Sequence, residues 1–148
     1  MLDSTNKTAQ VTYLGQYPGG SVYNSYAGDI VIPESIMIDD VTYSVTAIGD
    51  EAFYESEITS VKIPSSVTSI GQGAFWTCIN LSDVTLPNSI TTIGHSAFEC
   101  CYSLTSCIIP PQVTVIEDCL FGLCSNLSTI ILPDGITSIG VAAFYYCI

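Results

Sequence analysis

The sequence predicts a solenoid of the β-rich α/β class, built from stacked short parallel strands joined by one-turn helices. Three observations predict it. Phe53, Phe75, Phe98, Phe121 and Phe144 recur at intervals of 22, 23, 23 and 23 residues, a period that belongs to stacked repeats and not to a globule with one closed core. Apolar residues hold fixed columns within each period. Proline and glycine punctuate each period at fixed places.

Taken in order, each unit opens on an apolar residue: Ile58, Leu81, Leu104 or Leu127. Val61, Val84, Cys107 and Ile130 follow, then Ile63, Leu86, Ile109 and Leu132. This L-x-x-V-x-L segment reads as a short strand with its apolar side chains on one face. Pro64, Pro87, Pro110 and Pro133 come next; proline cannot donate to a ladder, so it ends the strand and starts a turn. Asn88-Ser89 and Asp134-Gly135 suit that turn. V-T-S-I at 67–70 and its copies predict a second short extended piece on an opposite wall. Gly71, Gly94 and Gly140 are expected to let the chain bend there, with Glu117 in that place once. The x-x-A-F segment reads as a single helical or 3₁₀ turn. Ala52, Ala74, Ala97 and Ala143 precede the phenylalanine, with Leu120 once. Cys78, Cys101, Cys124 and Cys147 close the unit, and the one short step places a deletion between Phe53 and Ile58, where a cysteine would sit.

About eight side chains per unit are committed to the interior, and a single coil cannot bury them alone. At ~1.5–3 kcal/mol per large apolar side chain, these columns drive folding. Strands ~4.8 Å apart give a stack of roughly 20 Å across the four phenylalanine steps.

The copies C-I-N-L-S-D-V-T-L-P-N-S-I-T-T-I-G-H-S-A-F and C-S-N-L-S-T-I-I-L-P-D-G-I-T-S-I-G-V-A-A-F closely resemble the BspA-like leucine-rich repeat, a short-period class. The resemblance covers residues 45–148, about four and a half repeats. It implies a right-handed, curved leucine-rich-repeat solenoid of a family abundant in bacterial surface and secreted proteins. Some members of that family are adhesins.

Fourteen acids face two bases, Lys7 and Lys62, for a net charge of −12. That balance argues against nucleic acid and anionic membrane surfaces and favours basic partners. Apolar content is 48%, which the repeat columns explain. No apolar run approaches the ~18 residues of a spanning helix, so no membrane insertion is expected. The start, Met1-Leu2-Asp3-Ser4, lacks a signal peptide's charged and apolar regions. Seven cysteines in so short a chain raise the possibility of disulfides. Four share an interior column and Cys107 replaces valine in another, where a thiol acts as a small apolar group, so an unbridged column is expected. Cys100 and Cys119 lie off those columns and are the expected reactive thiols.

Residues 1–44 lack the period and read as a strand-rich N-terminal β cap over the open end of the stack, as solenoids require. Its first ten residues are polar and expected to fray. V-T-Y at 11–13, S-V-Y at 21–23 and I-V-I at 30–32 are short extended runs separated by Pro18-Gly19-Gly20 and Gly28-Asp29. Ile30-Val31-Ile32-Pro33 resembles a degenerate strand-plus-proline, and Ile36 to Tyr43 a hairpin around Asp39-Asp40. The other end reads as uncapped, which predicts self-association through it.

Candidate chemistry is sparse. His95, the only histidine, occupies a slot held elsewhere by Asp50, Gln72, Asp118 and Val141, and no third member completes a catalytic group with Cys100 or Cys101. The acid pairs match no calcium loop. The sequons at Asn80 and Asn126 sit at strand starts and read as turn residues. No catalytic, cofactor or metal site is therefore expected. The better candidates are outward strand positions, which a curved solenoid presents as a concave binding surface: Ser60, Lys62, Asp83, Thr85, Ser106, Ile108, Thr129 and Ile131. Ile108 beside Ile131 is an apolar pair on a polar sheet. Tyr54, Trp76 and Tyr145 follow the phenylalanine in three units and suggest an aromatic edge. The expected function is a non-enzymatic binding or adhesion scaffold, secreted or at the cell surface, for a protein or glycan ligand. The alternative is a structural spacer that displays another domain.

Overall fold

The computed structural model describes residues 1–12 and 26–147. The strands expected at 11–13 and 21–23 and the turn at 18–20 lie wholly or partly outside the described residues. In chain order, β1 (Leu2–Asp3) and β2 (Thr8–Val11) are followed by β3 (Ala27–Val31), β4 (Ser35–Ile38) and β5 (Val41–Ile48). Each later coil then supplies a pair: β6 (Glu57–Lys62) and β7 (Ser69–Ile70), β8 (Asp83–Thr85) and β9 (Thr92–Ile93). The last two pairs are β10 (Ser106–Ile108) with β11 (Val115–Ile116), and β12 (Thr129–Ile131) with β13 (Ser138–Ile139).

The first member of each pair lies on one wall and the second on another. β3, β6 and β8 run parallel in one sheet, and β10 runs parallel to β12 in a second. On the other wall β2, β5, β7 and β9 are parallel neighbours, and β11 pairs with β13. Five coils result, each ending on one phenylalanine. Ile30 stands beside Val61 and Val31 beside Lys62, so I-V-I-P at 30–33 is the strand of the first coil.

The phenylalanines form a single file. Consecutive rings from Phe53 to Phe144 lie 5.2, 5.1, 5.5 and 5.8 Å apart and within 6° of parallel. Tyr26 extends the file, its ring 4.9 Å from Phe53 and tilted by 52°. The opening, valine and alanine columns are buried around it from Ile58 to Leu127. In the fifth coil Ile130, Leu132, Ile136 and Phe144 are half-buried, and Ile139 is exposed.

The x-x-A-F segment keeps the bonds of a 3₁₀ turn without its uniform dihedrals. Tyr54 N–H donates to the Glu51 carbonyl and Ser56 N–H to the Phe53 carbonyl. Two residues per coil take φ between 53° and 62°: Glu51 and Glu55, then Gly73 and Thr77, Ser96 and Cys100, Cys119 and Leu123, Ala142 and Tyr146. This zigzag turns alternate N–H groups toward the next coil. Glu51, Phe53 and Glu55 donate to the carbonyls of Gln72, Ala74 and Trp76 at 2.7–2.9 Å, and the pattern repeats down the stack. A third wall of inter-coil bonds is thus made from turns, which accounts for backbone groups that a helix would have satisfied internally.

Three local expectations are corrected. Gly71, Gly94 and Gly140 do not supply positive φ. They allow contact: a Cβ on Gly71 would lie 2.5 Å from Asp50 N, and one on Gly94 2.6 Å from Gln72 N. The deleted residue of the short step lies after the cysteine position, because Ser56 occupies that column, buried, with Oγ 3.3 Å from Cys78 Sγ. The expected frayed start is instead paired. β1 is antiparallel to β2 and β2 parallel to β5, because Ala9 is apolar enough to bury beside Val45. The hairpin at 36–43 forms between β4 and β5, with Asp39 and Asp40 both at positive φ, as a two-residue primed turn demands.

Candidate binding face

Along each first-wall strand every second side chain enters the core, so its neighbours point outward. Parallel pairing stacks them in register. Ser60 stands beside Asp83 and Lys62 beside Thr85 in one sheet; Ser106 beside Thr129 and Ile108 beside Ile131 in the other. Seven of the eight are exposed and Ser60 is half-buried. Ile108 and Ile131 keep 63% and 53% of their surface in water and stand in register, an apolar pair among polar neighbours.

Val31 belongs to the same column, 70% exposed beside Lys62. Its place follows from aligning I-V-I-P at 30–33 with the repeat, one coil before the columns that the sequence predicts as the binding surface. Asp29 also faces this surface. Its carboxylate accepts hydrogen bonds from Ser60 Oγ at 2.7 Å and Thr59 Oγ1 at 2.8 Å. These bonds, Ser60 first, hold its pKa below the usual aspartate value. A depression of about 290 Å³ lies among Ser60, Lys62, Asp83, Thr85 and Pro87. A second of about 480 Å³ adjoins it, lined by Val31, Pro33, Lys62 and Pro64. Lys62 stands between the two.

The proposed aromatic edge is not continuous. Tyr54 and Trp76 meet at 5.0 Å. Glu99 and Gly122 then take that slot, so Tyr145 packs against Tyr146 at 4.6 Å instead. Tyr54 Oη donates to Glu55 Oε1 at 2.6 Å.

On the turn wall His95 is exposed and its Nε2 lies 3.1 Å from the buried Ser96 Oγ. The Cys119 thiol has its pKa raised by burial, then by Glu99 and Asp118. A thiol so placed stays protonated at neutral pH, the reverse of what a nucleophile needs. The four column thiols carry no disulfide. Cys78, Cys101, Cys124 and Cys147 each donate to the carbonyl of the preceding coil's phenylalanine, at 3.0, 3.2, 3.0 and 3.1 Å. Burial pushes Cys78 up to about 11 and Cys124 up to about 12. The thiols therefore serve as inter-coil hydrogen-bond donors, a role beyond the apolar filling that their column predicts. Asn126 Nδ2 is likewise engaged, donating to the Tyr102 carbonyl at 2.7 Å. Among the described residues no three of His, Cys, Asp and Glu gather as a metal site, and no helix is long and apolar enough to cross a membrane.

Parallel ladders on two walls, a file of phenylalanines and turns in place of long helices define a leucine-rich-repeat solenoid. Residues 46–148 match the model for the BspA type leucine rich repeat region, in six copies. The chain belongs to that family. The T. pallidum leucine-rich repeat protein superposes with a TM-score of 0.82 at 30% identity, over 99% of this chain and 63% of that one. A leucine rich cell surface protein from Faecalibacterium prausnitzii gives 0.67 at 27% identity, over 99% of this chain and 50% of that one. A leucine-rich repeat protein from Bacteroides ovatus gives 0.65 at 29%, over 94% and 44%. This chain therefore spans between 44% and 63% of the length of these relatives. No curated protein matches the chain significantly.

Proposed function

We propose that this chain is a non-enzymatic binding scaffold of a secreted or cell-surface protein, and that it takes a protein or glycan ligand on the outward columns of its first-wall strands. The observation that carries this reading is the Ile108–Ile131 pair, apolar, in register and exposed beside hydroxyl side chains. Apolar side chains ringed by polar ones are the usual make-up of a contact surface. Family membership and the F. prausnitzii cell surface protein support the localisation.

Binding to a panel of matrix proteins and glycans tests the proposal. A ligand that binds should weaken tenfold or more when Ile108 and Ile131 are both changed to Thr, with an unchanged thermal midpoint. Unaltered affinity would place the contact elsewhere. A panel without any binding would favour the spacer.

A further inference from the structure

Both strand ladders stop at one level. β8 does not pair with β10, nor β9 with β11, among the described residues. Every other pair of successive coils is joined on both walls. The turn wall runs through the gap unbroken. Ser96, Phe98 and Cys100 N–H groups donate to the carbonyls of Asp118, Leu120 and Gly122 at 3.0, 3.0 and 2.8 Å. The Cys124 thiol still reaches the Phe98 carbonyl, and the Phe98 and Phe121 rings still stack at 5.5 Å.

The fourth coil departs from the repeat at Cys107, Glu117 and Leu120; Cys107 and Leu120 are buried in the core, and Glu117 is the one that sets a Cβ against a neighbouring backbone. Where the ladder is intact, a glycine follows the second-wall strand and donates to the preceding coil: Gly71 to the Ile48 carbonyl at 2.8 Å, Gly94 to Ile70 at 2.9 Å, Gly140 to Ile116 at 2.7 Å. Each approach leaves no room for a side chain. A Cβ on Gly94 would lie 2.7 Å from Gly71 C, and one on Gly140 2.5 Å from Asp118 N. In the fourth coil that slot holds Glu117. Its Cβ, by the same repeat geometry, faces the Gly94–His95 peptide. Overlap of this kind with backbone is relieved only by moving a coil away. The side chain beyond the Cβ is exposed, so its carboxylate needs no buried partner.

We infer that Glu117 is a wedge that divides the solenoid into a three-coil and a two-coil stack, hinged along the turn wall. The division falls across the outward columns. Ser60, Lys62, Asp83 and Thr85 ride on one plate, and Ser106, Ile108, Thr129 and Ile131 on the other. The side chain at position 117 sets the angle between them, whether or not either plate binds a ligand.

Hydrogen exchange on the whole chain tests the wedge. In intact ladders Ser82, Thr91 and Gly94 donate to the coil before them; their counterparts beside the gap are Thr105, Thr114 and Glu117. Those three amides should exchange at least tenfold faster than the first three. Glu117→Gly should slow them to the level of the intact ladders. Glu117→Ala, which keeps the Cβ and removes the charge, should leave them fast. Gly94→Ala should speed the amides of Thr91 and residue 94. Protection in Glu117→Ala would overturn the wedge in favour of charge repulsion. Fast exchange in Glu117→Gly, a failure of that variant to fold, or slow exchange in the parent would each overturn it too.

Discussion

Truncating the middle of the phenylalanine file is the sharpest test of the fold. Phe98 is fully buried, with parallel rings at 5.1 Å on one side and 5.5 Å on the other. Phe→Ala in a core costs about 3–5 kcal/mol. Each ring pair adds about 0.5–1.5 kcal/mol beyond area. Phe98→Ala should therefore cost about 5 kcal/mol, a third or more of the 5–15 kcal/mol that holds a small domain. Phe144 is half-buried with one ring neighbour at 5.8 Å, so Phe144→Ala should cost about 2 kcal/mol, half a core truncation or less. Urea unfolding followed by far-UV circular dichroism, with Trp76 fluorescence as a second probe, measures both. Equal costs would refute the reasoning, because a spine loaded from both sides must lose more in the middle than at its end.

Two further outcomes are expected. Ala142 is exposed at φ 56°, where a Cβ costs roughly 1–2 kcal/mol. Ala142→Gly should raise stability by about 0.5–1 kcal/mol once the extra freedom of the unfolded glycine is counted; an unchanged or lower melting temperature would deny the strain. Stability should also fall in alkali. Cys78 is raised to about 11, and Cys107 and Cys124 to about 12, all above the ordinary 9.0. The native state thus holds these protons where the unfolded chain releases them, so their contribution is full below pH 9 and is lost as pH rises toward 11 to 12. Burial raises Cys101 well above 9.0 as well, so four thiols at ~1.36 kcal/mol per pH unit give a slope of roughly 5 kcal/mol per unit. Urea midpoints between pH 8 and 10.5 read the slope, and Cys107→Val should remove about a quarter of it. A flat profile would contradict the buried thiol protons.

The coil was legible because its demands repeat. Every unit asks for the same apolar residue at the same place, so Leu81, Val84, Ile90, Ile93 and Phe98 announce their burial by recurrence alone. What the sequence leaves unmarked depends on contacts between coils, which a one-dimensional pattern does not display. Ser56 hid in the cysteine column because a hydroxyl and a thiol share size and donor role while differing in name. The glycine column was read as a bend because glycine commonly bends chains, whereas here it admits a neighbouring peptide. Left-handed residues such as Leu123 and Thr77 carry no local signal, since neither is a usual residue for positive φ. The outward strand positions were legible by alternation from Ser60 to Ile131. Val31 and Asp29 were not, because the first coil keeps the strand and proline but loses the rest of the consensus.

Each coil's paired left-handed residues separate two properties that most folds bind together. The exposed ones, such as Ala142 and Glu51, tune heat tolerance through backbone strain, and they lie outside the outward strand columns. Glycine or asparagine at a few of them would adjust the protein to a warmer or cooler habitat while leaving the outward strand columns as they are. Selection can therefore act on endurance and on the exposed strand face at different addresses in the same 23 residues.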